Sequence, residues 1–120
     1  MTSARAPGTE PWIASALDRV PELAPLLRAD ERDLPYRVFR ALASFVSEEI
    51  RGAGSADAIR RSFELIDDMA AADTELVDNL LVVAFFEVLA DHQVCRAAAL
   101  AQLGPRACEL LRVATAFWRR

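Results

Sequence analysis

The chain is predicted to be all-α: one domain of about six to seven helices, stacked as antiparallel hairpins around a central apolar helix at about residues 74–91. Three observations predict this. Apolar residues recur at i, i+3, i+4 and i+7 through successive segments, the spacing of one helix face. No segment alternates apolar and polar residues for long, and no hairpin dipeptide such as Asn-Gly occurs. The connections are short and marked by Gly and Pro, which makes sequential helices antiparallel neighbours. No fixed period repeats, so a solenoid is not expected.

Residues 1–8 form a polar tail, and the domain occupies residues 9–120. The first helix starts near Thr9 or Glu10, with Pro11 tolerated in its first turn. Trp12, Ile13, Ala16, Leu17 and Val20 form its apolar stripe. Pro21 and Pro25 restrict the next segment to a short turn around Leu23, Leu26 and Leu27. The run Asp30-Glu31-Arg32-Asp33 is a loop, and Asp33 is placed to cap the following helix, Leu34–Pro35 to about Arg51. There Tyr36, Phe39, Leu42, Phe45, Val46 and Ile50 line one side, while Arg37, Arg40, Ser44 and Glu48 stay wet. Gly52-Ala53-Gly54 ends it through the left-handed geometry that glycine accepts. Ser55 caps a helix with the stripe Ile59, Phe63, Ile66, Met69 and Ala70, and Asp57 favours its positive end. The helix from Thr74 to about Asp91 is apolar most of the way round, so its neighbours should enclose it. A further helix, about Gln93 to Leu103, stops at Gly104, and Pro105 starts the last one, ending near Trp118.

With 120 residues, 53% hydrophobic and 27% charged, the composition is that of one globular domain. A net charge of −4 disfavours a nucleic-acid partner, and the pairs Arg60-Arg61 and Arg119-Arg120 lack interleaved aromatics. No apolar run approaches the ~20 residues of a membrane span, and no secretory leader is recognised at the N-terminus. Two cysteines, Cys95 and Cys108, are too few for a disulfide scaffold, which makes the cytoplasm the expected compartment.

All positive charge is Arg, and none lies between Arg61 and Arg96. That span carries eight carboxylates. Glu64, Asp67, Asp68, Asp73, Glu75 and Asp78 bracket one inter-helix connection and form the candidate partner-binding edge. Asp73 and Glu75 are favoured at a helix start, whereas Asp67 and Asp68 near a helix end each cost ~0.3–1 kcal/mol. Glu64, one turn before Asp68, adds repulsion. An arginine from elsewhere in the fold, or a cationic partner, should offset this. Asn79 and Glu87 interrupt the central helix as candidate buried polar residues of unassigned role. At ~100° per residue Glu87 shares a face with Leu76, Leu80 and Val83, which places it either at the rim or partly buried and paired with an arginine.

No catalytic, cofactor or metal site is expected. His92 is the only histidine, and with Asp91 and Cys95 it falls short of the ~4 ligands a zinc site needs. Cys95 and Cys108 fall at different heights of a hairpin turning at Gly104. No phosphate loop, dinucleotide fingerprint or Ser-His-Asp arrangement occurs. Arg37 and Arg40 share a helix face that could hold an anion or meet the acidic edge. Trp12, Phe117 and Trp118 should clamp the core, or mark a contact patch if exposed.

Pro21-Glu22-Leu23 with Pro25-Leu26, then the stretch Glu75 to Leu89 containing Asn79 and Glu87, then Leu103-Gly104-Pro105, resemble a family of small, uncharacterised bacterial helical proteins. Some of its members are similar to immunity proteins of polymorphic toxin systems. The resemblance implies no catalytic residues. The expected function is therefore a non-enzymatic binding protein of immunity or antitoxin type, occluding a basic surface of a protein partner such as a cognate toxin. The alternative is a helical structural or adaptor protein that self-associates through apolar faces at Trp12 or Phe117-Trp118; the chain is expected to be a monomer or a homodimer.

Overall fold

Hydroxyl caps and prolines set several of the helix starts in the computed structural model, which describes residues 8–118 and side chains through residue 116. Helix α1 is Glu10–Arg19. Two 3-10 turns follow, Pro21–Leu26 and Ala29–Glu31. Helix α2 is Pro35–Arg51 and α3 is Ala56–Ala72. Helix α4 (Glu75–Leu80), a π-helical segment (Leu81–Phe86) and α5 (Glu87–Ala90) run on as one rod, and α6 (Gln93–Gln102) and α7 (Pro105–Trp118) complete the chain. Among the described residues there is no strand. Most of the expected tail (residues 1–7), Arg119-Arg120 and the side chains of Phe117 and Trp118 lie outside the described residues.

Ser55 Oγ accepts from the Ala58 N–H, and Thr74 Oγ1 accepts from the Val77 N–H, so α3 and α4 each start on a hydroxyl cap. Two expected caps differ. Leu34, not Asp33, is the N-cap of α2 and makes no side-chain bond there; Pro35 supplies the helix start through its fixed φ. At the end of α2, Gly52 has a φ of −93° and the left-handed residue is Ala53, at 52°. Asp73 takes the same role after α3, at φ 54°, so it ends α3 instead of opening α4.

The core runs through every helix. Phe39, Leu42, Leu65, Ile66, Met69, Leu80, Leu81, Phe85, Phe86, Leu89 and Leu111 are buried almost completely. Each such side chain contributes about 1.5–3 kcal/mol through burial. The rod packs against α2 on one side and α7 on the other, so it is central, as its composition predicts. It is not enclosed all round. Val82, Val83 and Val88 are half-buried and Leu76 is 53% exposed.

The π segment reconciles that composition with a one-sided core. The Glu87 N–H donates to the Val82 carbonyl, five residues back. In a regular helix Glu87 would stand within about 20° of buried Leu80. A π turn takes up one extra residue and sets everything beyond it back by about 100°. Phe85, Phe86 and Leu89 thereby join Val77, Leu80, Leu81 and Ala84 on one buried face, and Glu87 rotates outward to a half-exposed position. No arginine pairs with Glu87 among the described residues, and Asn79 is exposed. The expectation that both are buried polar groups is thus corrected, the π offset being the reason for Glu87.

Candidate functional site

The six carboxylates of the expected edge do not act together. Glu64 is paired along its own helix with Arg60, at 3.0 Å. Asp68 reaches α1 and binds Arg19 at 2.7 Å. Asp67 turns the other way, and its Oδ1 accepts from the Gly104 N–H at 2.9 Å, anchoring the α6–α7 turn to α3. The unfavourable placement of Asp67 and Asp68 at the end of α3 is therefore offset inside the fold. A Cβ on Gly104 would lie 3.3 Å from that same Asp67 oxygen, so close approach favours glycine there.

The other three acids converge. Asp73, Glu75 and Asp78, with Asn79, line a groove between α4 and α7, about 420 Å³ in volume, whose apolar wall is Val82, Leu110 and Val113. Arg106 enters from the first turn of α7. It donates to Asp78 Oδ2, stands 3.3 Å from Asp73 and holds Glu109 at 2.5 Å. The hydrogen bond to Glu109, and after it the nearby Asp78 charge, raise the Arg106 pKa above its ordinary value. Two buried atoms of this cluster, Asp78 Oδ1 and Arg106 Nε, have no hydrogen-bond partner. Among the described residues, Glu75 alone of the six acids has no partner, and it stands exposed on the rim. Opposite it, Val113 is 53% exposed. Asn79 Nδ2 donates to the Tyr36 hydroxyl at 2.7 Å, tying the groove to α2.

Sequence reasoning missed Arg106, Tyr36 and Val113. Arg106 carried a signal: a cation in the first turn of a helix faces the positive dipole end and is disfavoured by ~0.3–1 kcal/mol unless carboxylates meet it. The expected ligands elsewhere are dispersed. Arg37 pairs with Glu31 at 3.1 Å, while Arg40 is exposed. His92 is the N-cap of α6 and does not line the groove. Cys95 and Cys108 are buried and free, Cys95 Sγ lying 3.4 Å from Ser47 Oγ and Cys108 Sγ 3.4 Å from the Leu103 carbonyl. Trp12 is half-buried against the core and shares a second, apolar groove of about 430 Å³ with Pro11, Leu76 and Val77.

A separate charge cluster ties α3 to the chain ahead of it. Arg61 donates to Glu22 Oε2 at 2.7 Å, to Asp57 Oδ2 at 2.8 Å and to the Arg19 carbonyl at 2.7 Å. The Arg61 hydrogen bond lowers the Glu22 pKa; bonds from Arg60 and then Arg61 lower that of Asp57. A carboxylate with a depressed folded pKa adds stability that is complete above its unfolded value, about 4. That stability is lost as pH falls through the folded value. Replacing Arg61 with Met should therefore shrink the loss of melting temperature between neutral pH and pH of about 3. Parallel acid-melting curves for both proteins would show that the cluster contributes nothing.

As chemistry, the α4–α7 groove offers carboxylates, one of them free, beside exposed apolar surface. It presents no nucleophile or histidine. Among the described residues no helix is long and apolar enough to cross a membrane. No curated protein and no solved structure matches the chain. A family described as a domain of unknown function, DUF7674, matches residues 13–119. The match spans nearly the whole chain, which therefore belongs to the DUF7674 family.

Proposed function

We propose that this chain is a non-enzymatic protein-binding module of immunity type, acting in the cytoplasm, which receives a cationic side chain of a protein partner in the α4–α7 groove. The observation that carries the reading is the unpartnered Glu75 on the rim of a groove with exposed Val113 on its far wall. A partner Lys or Arg with an apolar neighbour matches that pairing of charge and greasy surface. The other two acids of the groove, exposed Asp73 and half-buried Asp78, already hold Arg106, so recognition is concentrated at Glu75 and not spread over six residues. A rim charge of this kind speeds encounter and selects partners more than it sets affinity.

The test uses the product of the reading frame adjacent to this gene as partner, with affinity measured by calorimetry at low and high salt. Glu75→Arg should weaken binding about tenfold, or roughly 1.4 kcal/mol, and flatten its salt dependence. Val113→Asp should weaken it similarly, while Glu48→Arg, on the exposed face of α2, should not. Binding and salt dependence unchanged in Glu75→Arg would reject the groove.

A further inference from the structure

The opposite flank of α7 carries the reverse charge. Helices α6 and α7 turn at Gly104, and a third groove of about 360 Å³ lies between them, lined by Arg96, Leu100, Leu111, Arg112, Thr115 and Ala116. Arg96 precedes Gly104 by eight residues and Arg112 follows it by eight. At ~1.5 Å per residue each arginine lies about 12 Å from the turn along its own helix, Arg96 on α6 and Arg112 on α7. Leu100, one turn nearer to Gly104 on the Arg96 wall, is 46% exposed.

Among the described residues these two hold no carboxylate, as is also true of Arg32, Arg40 and Arg51, but Arg96 and Arg112 line one groove. Arg19, Arg28, Arg37, Arg60, Arg61 and Arg106 each hold a carboxylate. Among the described residues, Arg112 makes no hydrogen bond or ion pair, and Arg96 donates only to the Ala90 carbonyl. In a chain of net charge −4, two guanidiniums without carboxylates lining one groove with Leu100 and Leu111 are a local reversal of the overall field.

We infer that the α6–α7 groove is a docking site for an acidic, apolar helical segment of a protein partner, one carboxylate held between Arg96 and Arg112 and an apolar side chain one turn away resting on Leu100. Charge complementarity selects the carboxylate, and guanidiniums hold it through paired N–H donors. The spacing matches a helix. Arg96 and Leu100 are four residues apart, and an occupant presents Glu and Leu at i and i+4 at the same separation of about 6 Å. The groove is open along its length, which suits a helix lying in it better than a small ligand, whose sites normally bury about 70–90% of its surface.

The test uses fluorescein-labelled, alanine-rich helical peptides carrying one Glu and a Leu four residues later, with anisotropy as the readout. The Glu peptide should bind about tenfold tighter than its Gln analogue, and Leu→Ala in the peptide should weaken it by several-fold. Arg112→Gln should remove the Glu-over-Gln preference, and Glu75→Arg on the other flank should leave it intact. Because Arg112 is exposed and unpaired, its replacement leaves the fold in place, whereas Arg96→Gln also removes the bond to Ala90. The inference is overturned by equal affinity for Glu and Gln peptides, by binding indifferent to Arg112→Gln, or by no binding. It is also overturned if dodecanoate binds through Arg112 while the peptide is silent, or if the chain alone dimerises through Arg112.

Discussion

Phe85→Ala is expected to destabilise the protein by about 3–5 kcal/mol, visible as a fall in melting temperature of roughly 10–20 °C. Phe85 has no exposed surface, lies in the π segment, and meets Phe86 edge to face with ring centroids 5.2 Å apart. Its removal leaves a void between the rod, α2 and α7, where three long elements meet and none can relax without moving the others. The edge-to-face contact, worth ~0.5–1.5 kcal/mol beyond area, goes with it. Val113→Ala, also in an apolar patch but 53% exposed, should stay within about 0.5 kcal/mol of the parent. Equal losses in the two variants, read by thermal or urea unfolding, would mean that the rod is not the organising centre of the core.

The same rod shows where sequence ceases to determine structure. Boundaries at Ser55, Thr74 and Gly104-Pro105 were legible because each depends on chemistry within three or four residues of itself. The π offset was not. Its benefit, bringing Phe85, Phe86 and Leu89 round to the face of Leu80, exists only once α2 and α7 are in place on either side. A strict 100° step therefore places Glu87 beside Leu80, and Asn79 is buried only if the whole helix is enclosed, which it is not. Gly52-Ala53-Gly54 was recognisable as a stop, yet which of its residues turns left-handed follows from the closure onto Ile50 and Glu49, not from intrinsic preference.

The acidic edge illustrates the same limit for the site. An arginine-free span of eight carboxylates is visible in the sequence, and so is the electrostatic cost of Asp67 and Asp68 at the end of a helix. That this cost is met inside the molecule is not visible, because Arg19 with Asp68, Arg106 with Asp78 and Gly104 with Asp67 are separated by 49, 28 and 37 residues. Topology alone brings them together. What remains unpaired at this edge among the described residues is one carboxylate, Glu75, far less than the composition suggests.

Removing Arg106 alone should cost more than removing Arg106 and Asp78 together. The Asp78 side chain is 19% exposed and its Oδ1 already lacks a partner, so Arg106 is what keeps this carboxylate tolerable beside Asp73. Arg106→Met leaves an unpaired, largely buried carboxylate and should unfold at lower urea than the parent. Asp78→Asn with Arg106→Met removes both charges and should recover most of that loss. A double-mutant cycle by urea unfolding then shows non-additive losses, and additive losses would show that the pair is solvated and inert. The same variant separates stability from recognition. Without Arg106 the groove carries more uncompensated negative charge, so Arg106→Met should bind a cationic partner more tightly while folding less stably. A partner whose affinity does not respond to that change is not sensing the charge of this groove, whatever else it touches.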